Sequence, residues 1–317
     1  MKIIVTGGAG FIGSHLSRKL IEEKHELLII DSLHPYYSPE RKKRQLSFVQ
    51  ETGPVTFVKK DLLADEDELK SLFHSFKADC VVHLAAIPGV SHSLSVPNEY
   101  VDYDIKATIN TLRMAGESGT KKFIFASSSS VYGNTKQAPS MEEDAKGEVV
   151  SPYAAAKFSA ESFCKAYASI YDLDLTILRF FTVYGPWGRP DMAIYSFISK
   201  LMADEEIPIF GMENKRDYTY IDDIVDGTYK AIVKDVTGTF NLGNGKPVSM
   251  ERLVEELKSH FPSLRLQVTD RRLGDVTSTW ADIGEAKKLL GYNPSITFAE
   301  GIRRTVQWMK EHEQNSF

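Results

Sequence analysis

The opening stretch, MKIIVTGGAGFIGS, constrains this chain more than any other. Ile3, Ile4 and Val5 read as a short buried strand. Gly7, Gly8, Gly10 and Gly13 follow at once, and a helical pattern runs over 12–24 through Ile12, Leu16, Leu20 and Ile21. A strand, a glycine turn and a helix in that order make a cradle for a pyrophosphate. Glycine adopts positive φ in the tight turn, and its missing Cβ lets the backbone approach the phosphates. The helix start then offers free N–H groups and a partial positive charge.

A second apolar strand, over 27–30, ends at Asp31, 18 residues beyond Gly13. At that spacing a carboxylate can accept from both hydroxyls of an adenosine ribose, and it would repel a 2′-phosphate. The cofactor expected is therefore NAD, with Gly7, Gly10, Phe11, Ile12, Gly13, Asp31 and Ser32 around it. Further apolar strands at 55–58, 80–84, 123–126 and 176–180 alternate with helices at 65–76 and 97–117. Strand–helix alternation predicts an α/β fold with a Rossmann-like, doubly wound parallel sheet. Asp61, with Leu62, follows the third strand, where it can reach an adenine amino group. Leu84, Ala85 and Ala86 follow the fourth and let the chain pass close to the cofactor. The run Glu40-Arg-Lys-Lys-Arg44 reads as a solvated helix face.

The chemistry follows the fifth strand. Ser127, Ser128, Ser129 and Ser130 stand at its carboxyl end, where side chains face the ligand crevice of such sheets. Ser151 and Pro152 read as a helix N-cap and first turn. Tyr153 and Lys157 then lie at i and i+4, on one helix face. An ammonium beside a phenol favours the phenolate, which is the form of a general base. Composition shifts after the sixth strand. The expected organisation is 1–180 for the cofactor and 181–317 for a smaller α/β substrate-binding portion, with the chain crossing between the two. Arg216 and Arg272 are placed to clamp a diphosphate.

The bulk numbers exclude other classes. Net charge is −5 over 317 residues, which suggests no broad nucleic-acid or anionic-membrane surface. No apolar run nears the ~20 residues that span a bilayer. Cys80 and Cys164 sit in apolar-periodic segments as buried free thiols, consistent with a reducing, cytoplasmic setting. No His or Cys set has metal-ligand spacing.

TGGAGFIGS, Asp31, Asp61-Leu62, HLAA at 83–86, SSSSVYG, SPYAAAK and RDYTYIDDI occur in the order found in extended short-chain dehydrogenases/reductases. The chain resembles the nucleotide-sugar epimerase and dehydratase branch of that family, over nearly its whole length. The resemblance implies Ser128, Tyr153 and Lys157 as catalytic residues. Dehydratases of the branch carry Asp-Glu before VYG; here those positions are Ser129 and Ser130, which leaves 4-epimerisation. FTVYGPWGRPDMA and PYYSPERKKRQL are similar to UDP-glucuronic acid 4-epimerases. Ser129, Thr182 and Arg189 would then hold the sugar carboxylate. Ile209 and Phe210 would lie by the uracil, and Met192 and Asp275 would complete the substrate contacts. Ser91 departs from the Arg frequent in those epimerases, and Thr279 stands where a residue gates the 2-substituent. A 4-epimerase of UDP-glucose, of UDP-GlcNAc or of its uronic acid, or a nucleotide-sugar 4-ketoreductase, stays open on these residues. The resemblance also implies a homodimer packed through the helices over 97–117 and 152–171.

Overall fold

The computed structural model describes residues 1–64, 66–134, 137–269 and 276–313. The first half alternates strand and helix. It runs β1 (Lys2–Thr6), α1 (Phe11–Glu22), β2 (Glu26–Ile30), α2 (Pro39–Gln50), β3 (Thr56–Val58), α3 (Glu66–Phe76) and β4 (Cys80–His83). Short helices α4 (Val90–Ser95) and α5 (Pro97–Tyr100) lead through a π-helical turn, Val101–Lys106, into α6 (Ala107–Glu117). Next come β5 (Lys122–Ser128), α7 (Pro152–Tyr171), β6 (Asp174–Phe180) and β7 (Thr182–Tyr184). The remainder is α8 (Ala193–Met202), β8 (Ile207–Phe210), β9 (Lys215–Arg216), β10 (Tyr218–Tyr220), α9 (Ile221–Val233) and β11 (Gly238–Leu242). It closes with β12 (Val248–Ser249), α10 (Met250–His260), β13 (Leu266–Thr269) and α11 (Phe298–His312).

Seven strands form one sheet in the order β11-β6-β5-β4-β1-β2-β3, and every neighbouring pair is parallel. Alternate residues of each strand serve opposite faces, as the two-residue period of a strand requires. Ile3, Val5, Ile29, Val82 and Ile124 pack on one side with Leu16 and Leu20 of α1 and Ile224 of α9. Ile4, Leu28, Val81, Phe123 and Phe125 pack on the other with Leu112 of α6 and Cys164 of α7. Both cysteines are buried and free. The strand order changes direction beside β1, between β2 and β4, so the crevice for a ligand opens at the carboxyl ends of these strands. Residues past 181 add three two-stranded sheets, β10-β7, β13-β8 and β12-β9, and also the edge strand β11 of the large sheet.

Two expectations need correction. The charge run is not a solvated face throughout: Arg41 and Lys42 of α2 are buried with Gln45, Leu46 and Val49, while Lys43 and Arg44 are exposed. Partners from distant chain explain this. Arg41 donates to Glu313 Oε1 at 2.5 Å, to the Tyr195 hydroxyl at 3.1 Å and to the Gly188 carbonyl at 3.0 Å. Secondly, the helix over 97–117 is interrupted by the π-helical turn, and that turn points Asp104 into the interior.

Candidate active site

The glycine turn is as close as backbone can come. Gly7 has φ +72°, and a Cβ on it would lie 2.7 Å from the Ala85 nitrogen. A Cβ on Gly13 would lie 2.2 Å from the Gly7 carbonyl oxygen. Only glycine fits either place. Asp31 ties the turn to the end of β2: its Oδ2 accepts from the Ala9 N–H at 3.0 Å and its Oδ1 from the Leu33 N–H at 2.8 Å. A carboxylate has about four acceptor positions, so capacity remains for ribose hydroxyls.

One continuous cleft runs from here to Tyr153. Gly7, Gly10, Phe11, Ile12, Gly13, Asp31, Ser32, Asp61, Leu62, Leu84, Ala85, Ala86, Ser127, Tyr153 and Lys157 all line it, and so does Arg189. These residues fit NAD: a backbone cradle too tight for any Cβ lines the cleft, and the Asp31 carboxylate, expected to meet the adenosine ribose, is tied to that turn through Ala9.

Local sequence positions the candidate catalytic face. Ser151 caps α7 by accepting from the Ala154 N–H at 3.2 Å, and Pro152 occupies the first turn. This starts the helix so that Tyr153, half-buried, and Lys157, buried, face the cleft. The Tyr153 ring stands edge-on to Tyr100 at 5.9 Å. Lys157 Nζ donates to the Ala126 carbonyl at 3.2 Å and lies 3.9 Å from Asp104 Oδ2. Asp104 Oδ1 accepts from the Ile87 N–H, and Oδ2 has no hydrogen-bond donor. Burial lifts the Asp104 carboxyl to about 6, against the pull of Lys157. Behind it, His83 is held between Thr6 at 2.7 Å and Thr108 at 3.0 Å; burial first and Lys157 second lower it to about 3, so it is neutral.

The serine turn is braced from below. Ser128 Oγ accepts from the Ser130 N–H at 3.2 Å and is 2.8 Å from Ser130 Oγ. Ser127 donates to Glu161 Oε1 at 2.5 Å, and Glu161 takes a two-toothed pairing from Arg179 at 2.9 and 2.8 Å. Arg179 reaches the Tyr132 hydroxyl at 3.0 Å, which donates to Asn241 at 2.6 Å.

The remaining expected substrate residues are scattered. Ser128 and Ser129 adjoin the cleft in sequence but do not line it. Thr182 and Met192 line a second, smaller hollow between β7, α8 and α11. The Ile209 side chain is fully buried in the core, and Phe210 beside it is half-buried. Arg216 donates to the carbonyls of Lys215 and Thr277 and lines neither hollow. The Thr279 hydroxyl accepts from the Asp217 N–H at 3.1 Å. Arg272 and Asp275 lie outside the described residues. Sequence reasoning did not single out Tyr36, Tyr37, Lys42 and Tyr103, which line the cleft, nor Asp104, Glu161 and Asp191, which support it. For Tyr36, Tyr37 and Lys42 the signal was the PYYSPERKKRQL stretch, whose charges pointed to solvent, and for Asp191 it was FTVYGPWGRPDMA; Tyr103, Asp104 and Glu161 had none. Among the described residues no His/Cys/Asp/Glu group could hold a metal, and no helix is long and apolar enough to cross a membrane.

Residues 3–243 match the NAD dependent epimerase/dehydratase family. A UDP-glucuronate 4-epimerase of Thermodesulfobacterium geofontis is 39% identical over 98% of this chain and 96% of its own. The crystal structure of UDP-glucuronic acid 4-epimerase from Bacillus cereus, in complex with UDP-glucuronic acid and NAD, is 34% identical. It superposes with a TM-score of 0.92 over 98% of this chain and 99% of that one. UDP-glucose 4-epimerase from Thermotoga maritima, with UDP-glucose, is 31% identical with a TM-score of 0.88, over 98% and 99% of the two chains.

Proposed function

This chain belongs to the NAD dependent epimerase/dehydratase family, and from that we propose that it interconverts UDP-glucuronic acid and UDP-galacturonic acid through a 4-keto sugar. The observation that carries this reading is the single cleft that joins the glycine cradle to Tyr153, Lys157 and Arg189. NAD, when bound, takes up the C4 hydride and gives it back to the other face of the sugar. Tyr153 takes the proton from the sugar O4 and later returns it, with Ser128 bridging by hydrogen bond. Lys157, held by Ala126 and Asp104, supplies the positive charge that favours the phenolate. Serines at 129 and 130 offer no acid–base pair for loss of water. Arg189 is the cation in reach of a C5 carboxylate.

Both ring faces must bind about equally, so the sugar contacts are few and the nucleotide contacts many; Arg216, Arg272 and Asp275 belong to the latter, as do the backbone of Ile209 and the ring of Phe210. Ser129, Thr182 and Met192 complete the sugar side. The protein works as a homodimer, a reading supported by the exposed apolar side chains Phe163 and Ile170 on α7 and Val101 beside α6; light scattering at twice the chain mass checks it. The two buried thiols support a cytoplasmic setting. The test is incubation of the purified protein with UDP-glucuronic acid while the anomeric protons are followed by NMR. UDP-galacturonic acid should appear, and Tyr153→Phe should slow its formation at least ~100-fold. Turnover of UDP-glucose alone would overturn the substrate; a Tyr153→Phe enzyme of unchanged rate would overturn the base.

A further inference from the structure

The fork of Arg189 is already filled. Arg189 sits in the loop between β7 and α8, and its side chain is 21% exposed. Its Nε donates to Asp191 Oδ1 at 3.0 Å and its Nη2 to Asp191 Oδ2 at 2.8 Å, the two-toothed geometry that guanidinium makes with a carboxylate. Nη2 also touches the Met192 sulfur at 3.4 Å. A second group holds the acid in place: the Tyr36 hydroxyl donates to Asp191 Oδ2 at 3.1 Å. Tyr36 fits there because Gly89 lacks a side chain; a Cβ on Gly89 would lie 2.5 Å from the Tyr36 oxygen. Tyr36, Arg189 and Tyr153 line the same cleft. Burial alone would raise the Asp191 carboxyl, but the Arg189 charge and the hydrogen bonds from Arg189 and Tyr36 hold it below its ordinary value. It therefore stays anionic through the neutral range.

We propose that Asp191 is a specificity-determining residue, an internal carboxylate that occupies the anion seat of Arg189 and that an acidic sugar has to displace. The inference rests on the proposed function, because it concerns how the same site chooses between acidic and neutral UDP-sugars. Exchange of one carboxylate for another on a single guanidinium changes little in free energy. The pair is partly exposed, so each partner has water as a further alternative. An acidic sugar therefore gains only a modest advantage over a neutral one. Asp191 keeps the advantage small, which also keeps an acidic product from being held too tightly.

The test is binding in a Tyr153→Phe background, which separates affinity from turnover. Titration calorimetry compares UDP-glucuronic acid with UDP-glucose before and after Asp191→Asn. The substitution keeps the shape and removes the charge. The Kd of UDP-glucuronic acid should fall roughly fivefold relative to that of UDP-glucose, and the gain should shrink at high salt. Tyr36→Phe, which loosens Asp191 without removing it, should shift the same ratio in the same direction by less. A ratio that stays constant or moves toward UDP-glucose in both variants overturns the proposal and makes Asp191 a support for Arg189. The unmodified enzyme reports separately on the substrate: no galacturonic product from it overturns the proposed function whatever the Kd ratio does.

Discussion

At the scale of single residues, His83 and Asp104 lie buried behind the candidate catalytic face and pull the pH dependence in opposite directions: the raised Asp104 carboxyl favours the fold as pH falls, and the lowered His83 opposes it. His83 is 1% exposed, and burial with Lys157 nearby lowers it to about 3. Unfolded, it would titrate near 6.5. Between these values the unfolded chain binds a proton that the folded one cannot. Stability is therefore lost as pH falls below 6.5, at about 1.4 kcal/mol per unit. His83 alone should cost about 2 kcal/mol at pH 5. Urea unfolding at pH 7 and pH 5 checks this: His83→Gln should remove about that much of the difference between the two. A difference of unchanged size would show that His83 is not the group. Of the residues that line the cleft, the sequence singled out those whose chemistry is read from type and spacing: the glycines, Asp31, Tyr153 and Lys157. Asp104 and Asp191, which support it, were not singled out. Each takes its meaning from a partner that only folding brings near, Lys157 for one, Arg189 and Tyr36 for the other.

At the scale of elements, six of the seven strands of the large sheet were legible, because parallel strands buried on both faces are short and apolar throughout; the seventh, β11, comes from the chain past 181 and was not expected there. β1, β2 and β4 read directly from IIV, LLII and CVVH. Helix α2 misled because its buried face carries Arg41, Lys42 and Gln45 at helical spacing, and no local pattern separates such a face from a solvated one. The π-helical turn was also invisible, since an extra residue in a helix leaves no mark in composition. The bracing of the serine turn belongs to this scale too. Glu161 of α7 and Arg179 of β6, each under 4% exposed, join three elements through Ser127. Glu161→Gln leaves the guanidinium buried and without its anion, and should cost ~3–5 kcal/mol in urea unfolding. Glu161→Leu with Arg179→Met should cost less than Glu161→Gln alone. If the double substitution is the costlier, the pair is not a buried ion pair in the energetic sense.

At the scale of the whole molecule, a corner beside the cleft is closed by segments far apart in sequence. Lys42 and Tyr37 line the cleft. Their neighbour Arg41 grips the Gly188 carbonyl of the Arg189 loop on one side and Glu313 on the other. Trp187 packs against Trp308 of α11 at 4.9 Å, closing the same corner. Glu313→Ala should therefore weaken NAD retention about tenfold and lower stability by ~3 kcal/mol, measured by dialysis of the cofactor and by urea unfolding. Unchanged retention would separate the corner from the cleft. Arg41 and Glu313 are 272 residues apart. On the ribosome, where a chain folds from its N-terminus, the glycine cradle and Tyr153 are made long before Glu313. Every described residue that lines the cleft stands at or before position 189, so the grip of Arg41 on Glu313 closes the corner after the cradle itself has been assembled.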